Sequence, residues 1–157
     1  MSFVTLAKES HIQESQAQEA TKSIQAIHHV LDQYHQAAAQ ADGKKYFSLM
    51  TDKAVFLGTD KTERWTKEQF VQFAMPYFEQ GKGWTYTPQK RHVTVMSSGS
   101  AAFFDEVLEN KKYGICRGSG VLVNTDSGWR ISQYNLAILV PNGVADKVIE
   151  QIKVFEQ

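Results

Sequence analysis

Cysteine is almost absent from this chain. The single Cys116 excludes an internal disulfide and any zinc site built on cysteines. Charge of one sign is missing too, since Lys+Arg and Asp+Glu stand at 17 each. Neutralising a phosphate backbone takes clustered excess Lys and Arg, so no nucleic-acid partner is expected. No stretch approaches the roughly 20 apolar residues of a membrane span, so no membrane partner is expected either. The first residues, Met1-Ser2-Phe3-Val4-Thr5-Leu6, carry neither the basic region nor the apolar run of a secretion signal, and the expected location is cytoplasmic. No motif calls for a cofactor.

What is present is ordinary globular composition, 42% apolar and 22% charged in 157 residues. A chain of this length buries about two-thirds of its unfolded surface and needs no covalent staples. Residues 1–21, rich in Gln, Glu, Ala and Ser with sparse apolar groups such as Leu6 and Ile12, read as a helical or frayed arm, either solvated or packed on a partner. From Ser23 onward, Ile24, Ile27, Leu31, Tyr34, Ala38 and Ala41 recur at three- and four-residue steps and define one helical face. Asp42-Gly43 supplies its stop. A short helix with Tyr46, Phe47, Leu49 and Met50 on its buried side precedes a strand at 54–57. Thr66 and Gln69 form a capping-box pattern that opens a third helix, with an aromatic stripe of Phe70, Phe73, Tyr77 and Phe78 and a kink or early end expected at Pro76.

Strands are expected near 84–96, 99–109, 112–124 and 128–139, separated by Ser97-Ser98-Gly99, Asn110-Lys111 and Asp126-Ser127-Gly128. Breaks this short make successive strands antiparallel. Glycines at 114, 118 and 120 should let them bend. Beyond Pro141-Asn142-Gly143, Val148, Ile152 and Phe155 suggest a helix over 141–157 that packs on the same domain. Helices grouped before a meander imply an α+β fold: a bent antiparallel sheet curled around the N-terminal helices into a cone with an internal pocket.

Several segments carry a family resemblance: Phe56-Leu57-Gly58-Thr59-Asp60 with Glu63-Arg64-Trp65, Pro76-Tyr77-Phe78 with Gly83-Trp84, Phe103-Phe104-Asp105-Glu106, Arg117 to Leu122, and Gly128-Trp129-Arg130-Ile131. In these, residues 22–140 resemble the SnoaL-like group of the nuclear transport factor 2-like (cystatin-like) superfamily. The resemblance implies a cavity between the helices and the concave sheet face, and often dimerisation through the other face. Its members include isomerases, dehydratases, cyclases, kinase association domains and transport adaptors, so fold alone names no reaction.

The turns suggest a strand register. A two-residue turn at Asn110-Lys111 would set Glu109 against Lys112 and Phe104 against Arg117. If Val123 then opposes Trp129, one face carries Phe104, Glu106, Arg117, Ser119, Val121, Trp129, Ile131, Gln133 and Asn135. A one-residue slip inverts every assignment. On this reading the ligand-binding residues are Glu106, Arg117, Ser119, Gln133, Asn135 and Trp129, with Trp65 at the pocket mouth beside Trp84 and Tyr86. The outward face would hold Phe103, Val107, Leu122, Tyr134 and Leu136, enough apolar surface to want a partner copy. Glu106 beside Arg117 reads either as a structural ion pair or as a fork that orients a carbonyl or carboxylate. Candidates for an acid or base are Glu106, Asp105 and His92. His28, His29 and His35 sit on the first helix without the four-residue step of a metal pair, so no metal site is expected. Gly58-Thr59-Asp60 lacks the pattern of a phosphate loop and reads as a turn. Three functions compete: a homodimeric module that binds a small apolar ligand with one polar end, an isomerase, cyclase or dehydratase that moves a proton next to a carbonyl, and a purely structural association domain.

Overall fold

Apolar residues at helical spacing need a surface to cover, and the chain supplies one by wrapping a sheet around its own first helices. The structure is a computed structural model that describes residues 3–156. Helix α1 (Phe3–Ala39) is followed by α2 (Gly43–Ser48), β1 (Met50–Leu57), β2 (Arg64–Thr66), α3 (Lys67–Phe78), β3 (Thr87–Val95), β4 (Ala101–Asn110), β5 (Gly114–Thr125), β6 (Gly128–Ile138) and α4 (Ala145–Phe155). Ile27, Leu31, Tyr34 and Ala38 are all buried, as the spacing of α1 requires. The helix runs on toward the N-terminus as one piece with the arm, whose residues 17–22 are exposed. The side chains of Leu6 and Ile12, in that arm, lie outside the described residues.

The stop after α1 differs in detail from the expectation. Ala41, not Gly43, takes the left-handed conformation, at φ 56°. Asp42 instead caps α2, its carboxylate accepting from the Lys45 N–H at 2.9 Å. The capping box at Thr66 and Gln69 forms in full. Pro76 lies two residues from the end of α3 and the helix carries through it to Phe78.

The sheet has six strands in the order β2-β1-β6-β5-β4-β3. β3 to β6 form the antiparallel meander expected from their short connections. β1 adds parallel to β6, so the whole sheet is mixed, and β2, too short to register as a pattern, closes the edge antiparallel to β1. Helices α1, α2 and α3 cover its concave face.

Three departures from the expected register decide which side chains enter the core. The β4–β5 turn is one residue longer than the two expected. Asn110 pairs with Gly114, and Lys111, Lys112 and Tyr113 form the loop. Asn110 Oδ1 accepts from the Lys112 and Tyr113 N–H groups at 2.9 and 2.8 Å, and Gly114 sits at φ +70°, the left-handed residue that completes a three-residue hairpin. Phe104 therefore faces Gly120 and Val107 faces Arg117, a shift of odd parity that inverts β5. The second departure is at the β5–β6 turn, where Asn124 and not Val123 opposes Trp129, an odd shift that returns Trp129 and Ile131 to the inward face. The third is a bulge at Ser132. Leu122 pairs with Ile131 but Val121 pairs with Gln133, so Trp129, Ile131, Tyr134 and Leu136 all turn inward. Leu122, Tyr134 and Leu136 thus leave the outward face to which the simple alternation assigned them; Phe103 and Val107 stay there.

Helix α4 forms where expected, but none of its residues is buried and Phe155 is 90% exposed, so within this single chain it does not pack on the domain. An ion pair between Lys61 and Glu156 ties its end to the β1–β2 loop.

Glycine 120 marks where β5 and β6 press closest, because a Cβ there would collide with the Gln133 carbonyl, whereas one at Gly114 would meet open space. Gly114→Ala should cost about 1 kcal/mol, the strain of its positive φ alone. Gly120→Ala should cost clearly more, about 2–3 kcal/mol, because backbone must move. Urea unfolding of both variants checks this; equal losses would refute the close approach at the bulge.

Candidate functional site

Inversion of β5 empties the middle of the sheet. Gly118 and Gly120 now face inward, and the room their missing side chains leave is crowded by Tyr134 and Glu106 at the first and by the Gln133 carbonyl and Phe104 at the second. Glu106 is fully buried. A carboxylate out of water must be matched by donors or it drags the fold apart. Three side chains from three other elements match it. Arg91 on β3 donates from Nε to Oε2 at 2.7 Å, His35 on α1 shares a hydrogen bond between Nε2 and Oε1 at 2.7 Å, and the Tyr134 hydroxyl on β6 donates to Oε1 at 2.9 Å.

Arg91 is itself almost wholly enclosed. Its Nη1 donates to Asp32 Oδ1 at 2.7 Å and to the His28 carbonyl at 3.3 Å, while Nη2 is buried without a partner among the described residues. Burial alone would raise the Glu106 pKa, but the hydrogen bond from His35, then the charge and hydrogen bond of Arg91, outweigh it and hold the carboxyl below the ordinary glutamate range. Burial pulls Arg91 down while Glu106 and Asp32 push it above its ordinary value.

Above this network lies a cluster of hydroxyls. Tyr46 and Tyr34 stack with ring centroids 4.2 Å apart and share a hydrogen bond between their hydroxyls. Two hydroxyls that share one bond leave one O–H without a protein acceptor. Burial raises the pKa of Tyr34, Tyr46 and Tyr134 alike, so all three stay neutral donors. With His35, Ala38, Phe56, Trp84, Tyr86 and Leu136 they enclose a chamber of about 20 Å³, room for one water or one carbonyl oxygen.

A larger cavity of about 750 Å³ adjoins this chamber, sharing Phe56, Trp84, Tyr86 and Leu136 with it. Its wall is a ladder of near-parallel rings that follows from the register. Phe56 pairs with Tyr134 on one side and with Trp65 on the other, and the ring planes differ by only 4° and 14°. Phe70 stacks on Phe56 at 4.0 Å and Phe73 on Trp65 at 4.7 Å. The rim is formed by Gly58, Thr59 and Glu63 of the β1–β2 loop and by the hairpin residues Glu109 to Tyr113.

Of the residues expected at the site, the structure brings Glu106 to the buried network and Trp65 to the cavity wall. The rest do not join them. Arg117 is exposed on the outward face opposite Val107, so it cannot pair with Glu106, and Arg91 holds that place. Ser119, between Asp105 and Asn135 in the register, shares their outward face. Gln133 and Asn135 turn outward because of the bulge. Trp129 is buried inside as expected, but away from the cavity wall. Asp105 and His92 face each other across β3 and β4, both exposed outside.

Arg91, His35 and Tyr134 escaped the sequence reading. For Arg91 a signal existed: it alternates in phase with Val93 and Val95, so a charged side chain stands at an inward position of β3. His35 was hidden because it borders the apolar stripe of α1 without belonging to its repeat. Among the described residues, no group of three His, Cys, Asp or Glu could hold a metal ion, and no helix is long and apolar enough to cross a membrane.

Glu106 has a lowered folded-state pKa, so its contribution to stability is complete above the unfolded value of about 4.3 and is lost as pH falls through the folded value. Wild type should therefore lose stability between about pH 5 and pH 3 through this group. Glu106→Gln should lack that component and, by leaving Arg91 buried with one partner fewer, be less stable by roughly 3 kcal/mol at neutral pH. Urea midpoints measured across pH for both proteins check the sign; parallel curves would refute it.

Comparison with known proteins agrees with this geometry. The SnoaL-like domain profile matches residues 27–141. No curated protein sequence matches the chain significantly. Among solved structures, a nuclear transport factor 2-like protein of unknown function from Pseudomonas putida KT2440 superposes with a TM-score of 0.66 at 10% identity, over 78% of this chain and 90% of that one. A candidate scytalone dehydratase from Novosphingobium aromaticivorans DSM 12444 gives a TM-score of 0.66 at 10% identity, covering 79% and 89%. A candidate dehydratase of the nuclear transport factor 2-like family from Streptomyces avermitilis gives 0.61 at 12% identity, covering 78% and 99%. At these identities the likeness is one of fold. With the profile spanning most of its length, the chain belongs to the SnoaL-like domain family, and it has the fold of nuclear transport factor 2-like proteins.

Proposed function

We propose that the domain binds a small, flat, largely apolar molecule whose one polar end, a carbonyl or hydroxyl, enters the tyrosine-lined chamber. The observation that carries this reading is the junction of two spaces: a 750 Å³ cavity walled by parallel aromatic rings opens toward a 20 Å³ chamber whose donors outnumber their protein acceptors. Apolar walls with a few convergent polar groups are what small-molecule sites are made of. Parallel rings favour a planar guest, which can stack against them. The polar end is met by the Tyr34–Tyr46 pair and His35 rather than by an arginine fork.

A second reading rests on the His35–Glu106 bond. A carboxylate that accepts from Nε2 fixes the ring's orientation and leaves Nδ1 free to take a proton. Beside a hydroxyl that can bond a carbonyl oxygen, such a histidine suits removal of a proton from the carbon next to that carbonyl, the step on which an isomerase, cyclase or dehydratase depends. Glu106 itself is a poor base, since its pKa is lowered and both of its oxygens are occupied.

As a third element we propose a homodimer through the outward sheet face. Phe103 and Ile115, both nearly half exposed, with Val107 and Val121 beside them, support a partner there.

Acetylnaphthalene and ethylnaphthalene differ in the carbonyl alone. The ketone should quench Trp65 and Trp84 emission at concentrations about two- to tenfold lower than the hydrocarbon, the value of one hydrogen bond. Tyr34→Phe paired with Tyr46→Phe should erase that difference, while equal binding of both compounds to wild type would remove the proposed polar end. For the proton-transfer reading, wild type in deuterium oxide should speed deuterium entry into the acetyl methyl group, followed by proton NMR. His35→Gln should abolish the acceleration even at saturating ketone, and an unchanged rate there would dismiss His35 as the base.

A further inference from the structure

The chamber and the mouth of the cavity differ in charge, and the difference sets which way round a ligand enters. At the inner end Arg91 is already matched by Glu106 and Asp32, and the chamber's own donors are neutral hydroxyls. An anion placed there would lose its hydration with no free cation in return. At the mouth the situation is reversed. Lys111 and Lys112 occupy the β4–β5 loop that borders the cavity, and neither is ion-paired with an acid among the described residues. Lys112 Nζ reaches only the Tyr113 hydroxyl at 3.1 Å and lies 4.7 Å above that ring.

The two acids on the same rim keep their charge but pair with neither lysine. The Glu63 carboxylate turns back to accept the Asp60 N–H at 3.1 Å, and Glu109 Oε2 accepts from Gln89 at 3.3 Å. The loop is also held in place. Besides capping the turn, Asn110 donates from Nδ2 to the Thr85 carbonyl at 2.9 Å, tying the base of the hairpin loop to the segment that leads into β3. The two lysines therefore project from a fixed backbone, which lowers the entropy lost when they take hold of a group.

We infer that the ligand is an aromatic or alicyclic acid, seated with its neutral polar end in the chamber and its anionic group at the mouth between Lys111 and Lys112. This rests on the reading of the cavity as a ligand site, and it adds the class of molecule and its orientation.

Anilinonaphthalene sulfonate and phenylnaphthylamine share their rings and differ in the sulfonate. Each dye is titrated into wild type, into Lys111→Gln/Lys112→Gln, and into Lys44→Gln/Lys45→Gln, a control that removes the same charge from exposed residues of α2. Dye emission is read under tryptophan excitation, and acetylnaphthalene is used to displace the dye. Wild type should bind the sulfonate about five- to tenfold more tightly than the neutral dye, a preference that falls as salt rises. The hairpin double variant should lose that preference with neutral-dye binding unchanged, and the control should keep it. A preference that persists in the hairpin variant, or that falls equally in the control, overturns the inference while leaving the cavity reading intact. If acetylnaphthalene displaces neither dye, the dyes bind elsewhere, and the cavity reading and this inference fall together.

Discussion

A single buried carboxylate organises this molecule. Glu106 has no access to water, so its charge has to be met by donors that the chain itself delivers. Those donors come from α1, β3 and β6, and with β4 they span most of the sheet and its principal helix. Three hydrogen bonds thereby set the height of α1 over the sheet, the side on which the tyrosines lie, and the point where packing gives way to empty space. An apolar residue in place of Glu106 could pack against α1 in many ways; an ion that must keep three partners permits few. Specifying this one arrangement is the better-supported role of such a network, since buried ion pairs add little net stability over well-packed apolar groups.

The aromatic wall has a similarly simple origin. Tyr134, Phe56 and Trp65 are neighbours across three adjacent strands, and hydrogen-bonded register brings their rings side by side at strand spacing. The parallel entry of β1 beside β6 is what joins the ladder to the network, because it places Phe56 next to the tyrosine that donates to Glu106.

Much of this was legible in the residues. The three- and four-residue steps of Ile27, Leu31, Tyr34 and Ala38, the capping box at Thr66, and four strands at short spacing led directly to the cone, while the family came from the resemblance of segments between Phe56 and Ile131. The site was legible only in part, and the reason is parity. Strand alternation carries no memory of an extra residue, so the Lys111-Lys112-Tyr113 loop, the one-residue shift at the β5–β6 turn and the bulge at Ser132 each reversed the faces beyond them. The loop and the bulge had local causes: the side chain of Asn110 bonding two N–H groups ahead of it and Gly114 in a left-handed conformation at the loop, and Gly120 letting the strands close up at the bulge. Gly114, three residues beyond the turn's first lysine, was the sign of a longer hairpin. Glu106 kept its inward place because β4 lies before all three irregularities, whereas Arg117 lies beyond one of them and Gln133 and Asn135 beyond all three. His35 could not be found from strand alternation at all; only tertiary packing reveals that a helix residue beside the apolar stripe meets a carboxylate 71 positions away.

The glycines of β5 lend the hollow an unusual kind of permanence. Gly118 and Gly120 do not line the hollow themselves, but Tyr134, which does, packs where a Gly118 side chain would stand, and neighbouring groups crowd both spots where a methyl would go. The depth of the receptacle is thus fixed by main chain and is closed to gradual revision, since the smallest enlargement at either position displaces the carboxylate, a tyrosine or a carbonyl. The entrance has no such restriction: Phe73 and Tyr113 stand partly in solvent, where exchanges are cheap. Descendants of this sequence can therefore diverge in what they admit far more readily than in how they grip what has entered.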